Sequence, residues 1–154
     1  MGRIGALTVG RALTGLGNDA IGGGSWTMGG MRTGQVPGED IAERLLLVAV
    51  AALEIGRELS RGWATRHVAV QLVRSATAAG ANYEEARGAE SRADFVHKLG
   101  VAMKELREAH FWLRLVHRGS LARTDVTPLL SEASELVAIL FTSRKTATAN
   151  SRPK

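Results

Sequence analysis

Four histidines and fifteen acidic residues are the raw material for metal or acid–base chemistry in this 154-residue chain. Di-iron helical bundles need Glu-x-x-His pairs together with further inward-facing glutamates. The chain has no Glu-x-x-His; Asp94-Phe95-Val96-His97 comes nearest, and Asp94 is expected in the first turn of a helix. His110 and His117 would stand roughly 10 Å apart along a helix axis at about 1.5 Å per residue, too far to share one ion. The histidines are therefore expected on helix surfaces or interfaces. Ser75 and Ser91 lack the glycine context of a nucleophile elbow, and no Walker-type phosphate loop is present. Gly15-Leu16-Gly17-Asn18-Asp19-Ala20 fits a dinucleotide fingerprint by letter, but no βαβ unit surrounds it. With no cysteine there is no thiolate chemistry and no sulfur-based zinc site. The residues point away from an enzyme and imply no cofactor.

Arginine is the other chemical resource. The net charge is +5 and the isoelectric point about 10.4, a balance that favours acidic partners, nucleic acid first. Sixteen arginines stand against four lysines. Guanidinium forks match phosphate and carboxylate equally well, so the bias suits phosphate contacts or interface ion pairs. Arg57, Arg61, Arg66, Arg74, Arg87, Arg92, Arg114, Arg118 and Arg123 are the candidate nucleic-acid contacts, many of them near expected helix ends and loops.

A second group of polar residues lies at helical spacing. His67, Gln71, Arg74, Asn82 and Glu85 make one stripe, and Lys98, Glu105, Glu108 and Trp112 make another. They read either as a solvated face laced with i,i+4 pairs or as an interface where Arg74, Asn82 and Glu85 meet Glu105 or Glu108, across or within bundles. Trp63 and Trp112 are expected to be packing anchors, and Trp26 unpacked.

Four helices must position these residues. The first begins after Pro37-Gly38, with Glu39 and Asp40 in its first turn, and stops near Ser60-Arg61-Gly62. Its apolar stripe is Ile41, Leu45, Val48, Ala52, Ile55 and Leu59; Leu46, Leu47 and Val50 widen that face, as if a neighbour covered a second side. The second spans about 64–86, on Val68, Leu72, Ala76, Ala79 and Tyr83, with small residues crowding its middle. The third opens on Ser91 as cap and carries Phe95, Leu99, Ala102, Leu106, Ala109, Leu113 and Val116 in heptad-like steps. The fourth starts near Thr124 as cap, carries Leu129, Leu130, Ala133, Leu136, Val137, Leu140 and Phe141 as its apolar stripe, and has Arg144 and Lys145 in its last turn. Short connections imply antiparallel neighbours, hence an all-α, up-down-up-down four-helix bundle over 38–145.

Residues 1–37 hold 11 of the 18 glycines and only four formal charges. They are expected to be a disordered leader, or to precede a true start at Met28 or Met31. Residues 146–154 are expected to be a flexible tail. No apolar run reaches the ~20 residues of a membrane span, and a cytoplasmic location is expected.

The stretch 71–116 is similar to the bacterial four helix bundle protein family. That family includes the 23S ribosomal RNA intervening-sequence proteins and the accessory variability determinant of diversity-generating retroelements. Gln71, Leu72 and Arg74 match its glutamine-leucine-x-arginine start. Asn82 and Glu84-Glu85 match its asparagine and glutamate-rich helix end; Ser91, Asp94 and Phe95 match its serine-x-x-aspartate-phenylalanine. Glu105, Glu108, Trp112 and Leu113 match the helix that follows. The likeness covers roughly 38–142; Tyr83 stands where isoleucine is usual. The resemblance implies a bundle that assembles as a ring, typically a pentamer, with no established enzyme activity. For the retroelement branch it implies binding to nucleic acid and to a reverse transcriptase.

Three functional readings follow: a non-catalytic, ring-forming adaptor that binds RNA or DNA; a purely structural oligomer whose charges serve only interfaces; and an enzyme or metal protein.

Overall fold

A computed structural model describes residues 38–149. The expected leader, the fingerprint at 15–20, Trp26 and the end of the tail lie outside the described residues. Within them the chain forms four α-helices: α1 (Glu39–Leu59), α2 (Arg66–Arg87), α3 (Arg92–Arg118) and α4 (Thr127–Ala149). Sequential helices run antiparallel and pack as neighbours; contact is most extensive between α2 and α3 and slightest between α1 and α4. No helix among the described residues is long and apolar enough to cross a membrane.

The apolar periodicity becomes the core. Leu45, Val48, Ala52, Ile55 and Leu59 of α1 are buried, as are Val68, Leu72, Ala76, Ala79 and Tyr83 of α2. Leu99, Leu106 and Leu113 of α3 meet Leu136 and Leu140 of α4 in the same cluster. Each buried leucine contributes on the order of 1.5–3 kcal/mol of transfer free energy. Ser75 is fully buried, but its hydroxyl donates to the Gln71 carbonyl at 2.7 Å and so is not orphaned.

Local signals set the ends. Gly38 precedes α1 with φ of 79°, and a Cβ there would stand 2.6 Å from the Tyr83 hydroxyl oxygen. Glycine thus meets a backbone and a steric requirement together. The Tyr83 hydroxyl donates to the Gly38 carbonyl at 3.4 Å, and burial pushes its pKa up to about 12. Ser91 caps α3 as its sequence position implies, accepting from the Asp94 N–H at 3.1 Å.

Four expectations need correction. Trp63 is not a packing anchor but 90% exposed, because it sits mid-way through a connection that closes on its own backbone. Phe141 is 57% exposed, at the edge of the α4 stripe instead of in the core. Thr124 does not cap α4: its N–H and hydroxyl turn to Glu58, and Asp125 accepts the Thr127 N–H at 2.9 Å instead. Finally, α4 continues past Lys145 to Ala149, with the Thr148 hydroxyl returned to the Arg144 carbonyl at 2.9 Å.

The slight α1–α4 side is held by charge. Arg44 Nε donates to Glu132 Oε1 at 2.7 Å and Arg44 Nη2 lies 3.1 Å from Glu135 Oε1; the Arg44 and Glu132 side chains are only 15% and 10% exposed. Removing one member strands the other, whereas replacing both by apolar groups need not destabilise. Arg44→Ala is expected to lose about 2 kcal/mol in urea unfolding, short of the ~3–5 kcal/mol for a fully buried pair, and Arg44→Met with Glu132→Leu to recover most of it.

Two helix glycines provide a matched pair. A Cβ on Gly80 would meet nothing nearer than Leu45 Cβ at 3.9 Å, whereas one on Gly56 would lie 2.7 Å from Val73 Cγ2. Gly80→Ala is expected to raise stability by about 0.5–1 kcal/mol through helix propensity. Gly56→Ala should show no such gain in the same denaturation series.

Candidate functional site

The family-motif residues converge on the α2–α3 seam of a single chain. Arg74 is the centre of the cluster. Its Nη2 donates to Glu108 Oε1 at 2.5 Å, its Nε donates to Gln71 Oε1 at 3.1 Å, and its Nη1 lies 3.6 Å from Glu105 Oε2. The Arg74 guanidinium holds the Glu108 carboxyl below the usual carboxylate range. Trp112 Nε1 donates to the same Glu108 oxygen at 3.3 Å, and its ring packs edge-on against His67 with centroids 5.7 Å apart. Further along, Lys98 Nζ donates to Glu85 Oε2 at 2.5 Å. Asn82 is not part of this lattice; its amide donates to the Ala78 carbonyl of its own helix at 2.8 Å. Of the two readings of these stripes, pairing inside one bundle is therefore realised for Arg74 with Glu105 and Glu108. Glu85 meets Lys98 instead. Such half-exposed pairs contribute about 0–1 kcal/mol each and act mainly on register.

The candidate arginines divide by position. Antiparallel order puts the α1–α2 and α3–α4 connections at the same end of the bundle. Arg57 lies in the last turn of α1, Arg61 in the connection, Arg66 at the start of α2, Arg118 at the end of α3 with Arg114 one turn earlier, and Arg123 in the next connection. All six side chains are exposed. None lies in an ion pair with a carboxylate among the described residues. The others are not gathered there. Arg87 and Arg92 mark the opposite end, and Arg74 lies midway. Arg87 is engaged with Glu39 and Glu84 at 2.5 and 2.8 Å.

Two acids at the basic end serve the backbone. Glu58 accepts from the Arg123 N–H at 2.6 Å and the Thr124 hydroxyl at 2.9 Å, joining α1 to the α3–α4 connection. The Arg123 N–H is the main reason its pKa falls below the ordinary carboxylate value. Asp125 is lowered likewise, by the Thr127 N–H. Both carboxylates thus act as caps for backbone N–H groups, and Glu58 also feels the charge of Arg123.

A cleft of about 220 Å³ opens between α3 and α4, lined by Arg107, His110, Phe111, Arg114, Ser134 and Val137. Burial, then Arg114, pushes the His110 pKa down. Arg107 was missed by reasoning from helix ends, although the 107, 110, 111, 114 spacing places all four α3 residues on one face. Among the described residues no group of three or more His, Cys, Asp or Glu could hold a metal ion.

Comparison with known proteins agrees with this architecture. A sequence model of the 23S rRNA-intervening sequence protein family matches residues 47–142. Among solved structures, the chain is similar to a Bacteroides thetaiotaomicron protein of unknown function from the S23 ribosomal protein family. The two are 31% identical with a TM-score of 0.63, over 68% of this chain and 98% of that one. No curated protein matches.

Glu58 provides the test of how the basic end is built. A carboxylate with a depressed pKa stabilises the fold above its unfolded pKa, and the contribution disappears as pH falls through the folded one. Glu58→Gln is expected to lose about 1 kcal/mol at neutral pH, screened below the ~1.5–3 kcal/mol typical of bonds to charged groups. The gap to wild type should close progressively below about pH 4.3, as read by chemical denaturation at a series of pH values.

Proposed function

We propose, since the chain belongs to the 23S rRNA-intervening sequence protein family, that it is a non-catalytic oligomeric adaptor that binds nucleic acid through the arginine-bearing end of its bundle. The observation that carries this reading is the set of six exposed guanidiniums at one end without carboxylate partners among the described residues. From Gly38 onward 17 basic residues face 14 acidic ones, so the overall excess is small. Its concentration at one end is what suits a polyanion.

Exposed apolar side chains support the oligomeric part of the reading. Leu46, Val50 and Leu53 are 55%, 43% and 40% exposed and fall on one face of α1; Phe111 and Phe141 are 55% and 57% exposed on α3 and α4. Apolar groups at those positions suit contact between copies. A closed ring, a pentamer as the resemblance implies, would bring the same end of every copy to one rim. The rim would multiply six arginines by the number of copies. A reverse transcriptase is the protein partner this reading allows, and the cytoplasm the location.

The alternative is an oligomer whose charges serve interfaces alone. Arg74 and Arg87 are paired with acids of their own chain and carry neither reading.

Phosphate contacts release counterions, so the logarithm of affinity should fall with the logarithm of salt by about 0.7–0.9 per phosphate neutralised. Binding of a structured RNA, followed by fluorescence anisotropy from about 50 to about 200 mM salt, is expected to weaken steeply. Arg61→Glu with Arg123→Glu should flatten that slope by about 2. Arg92→Glu, at the far end, should change it little. A flat salt dependence in the unaltered protein would overturn the reading.

A further inference from the structure

Trp63 lies among the arginines of the basic end, and it is 90% exposed. Burying even a smaller apolar side chain is favourable by ~1.5–3 kcal/mol, so an indole left in water calls for a reason. The connection that carries it is well ordered by its own bonds. The Gly62 N–H donates to the Leu59 carbonyl at 3.2 Å and the Arg66 N–H to the Gly62 carbonyl at 3.1 Å. The Thr65 hydroxyl donates to the Leu59 carbonyl. The ring is therefore presented outward by a closed turn. Arg61 and Arg66 flank it in sequence, both exposed.

We infer that Trp63 is a stacking platform for an unpaired nucleotide, with Arg61 and Arg66 on the phosphates to either side. An indole face accepts any base, and flanking cations hold the backbone, the combination by which single strands are bound without sequence readout. Inside a duplex each base is stacked on both sides, so only the two terminal pairs expose a face to the ring. A second copy of the chain is the less suitable occupant, because the same end of another molecule would bring its own arginines against these. The inference rests on the nucleic-acid reading above and narrows it to single-stranded or unpaired segments.

The test compares a labelled single-stranded RNA with a blunt RNA duplex of the same length, at one salt concentration, for the full chain and for Trp63→Ala and Trp63→Phe. Trp63→Ala is expected to weaken single-strand binding about 5- to 150-fold, the range for losing one stacked base, and to leave duplex binding within roughly twofold. Trp63→Phe should retain most of the single-strand affinity. Circular dichroism and sedimentation accompany each variant, and the exposure of the ring predicts unchanged folding and size. Equal losses on both RNAs, no loss on either, or a change of assembly size in Trp63→Ala would each overturn the platform while leaving salt-dependent binding intact. Failure of the unaltered protein to bind either RNA would overturn the parent reading and this one with it.

Discussion

The bundle depends on how closely its second helix can approach two neighbours at once. Ser75, Ala76, Ala79 and Gly80 fall on the approach surfaces of α2 and are small enough to let α1 and α3 in. On the α1 side Gly56 makes the matching concession, leaving room for Val73. Close approach then shapes everything that borders the seam. With the helix axes near, long side chains can span from one helix to the next, and Arg74 reaches Glu108 while Lys98 reaches Glu85. These pairs are too exposed to supply much free energy. They do discriminate between registers, because a slide of one helical turn would part each cation from its acid. Small residues thus set the distance, and charged ones set the offset.

The opposite side of the bundle solves a different problem. The first and fourth helices touch little, so apolar packing cannot fix their relation. There a guanidinium is nearly enclosed with Glu132 beside it. Near-burial makes such a pair sensitive to loss of either member, which gives a weak contact a strong preference for one arrangement. At the end where Glu58 meets the next connection, a carboxylate again ties distant segments together, this time through backbone N–H groups. Acids in this chain repeatedly act as fasteners.

What could be read from the sequence was whatever repeats locally. The leucines at 99, 106 and 113 announce one face of one helix, and they are buried to completion. Ser91 needed only its neighbour three residues on. The features that escaped are those decided by partners far away in the chain. Arg44 and Glu132 are 88 positions apart, and nothing in either local pattern requires the other. Thr124 and Asp125 are both good caps by composition; the competing claim of Glu58, 66 positions away, decides which one serves α4. Trp63 escaped for a related reason. Its size argues for burial, but its direction is set by a turn whose hydrogen bonds were not foreseeable from residue types. Lys145 resembled a helix terminus because positive charge suits that place, yet the alanines and threonines beyond it keep α4 going to Ala149.

The same distinction governs the charges. Counted along the chain, the arginines form one population, and their excess over acids is ordinary. Folding sorts them. Arg44 and Arg74, on the flanks of the helices, find acids and become part of the scaffold. The six at the basic end make no ion pair with a carboxylate among the described residues, and two acids near them, Glu58 and Asp125, accept backbone N–H groups. The net charge of +5 is thus spread unevenly, with six exposed arginines toward one end. Their field is short-ranged, since exposed charges are screened over about 8 Å at physiological salt. A partner must come into contact with the turns to feel it, and there the closed loop at 60–65 presents the exposed indole between its two neighbouring arginines.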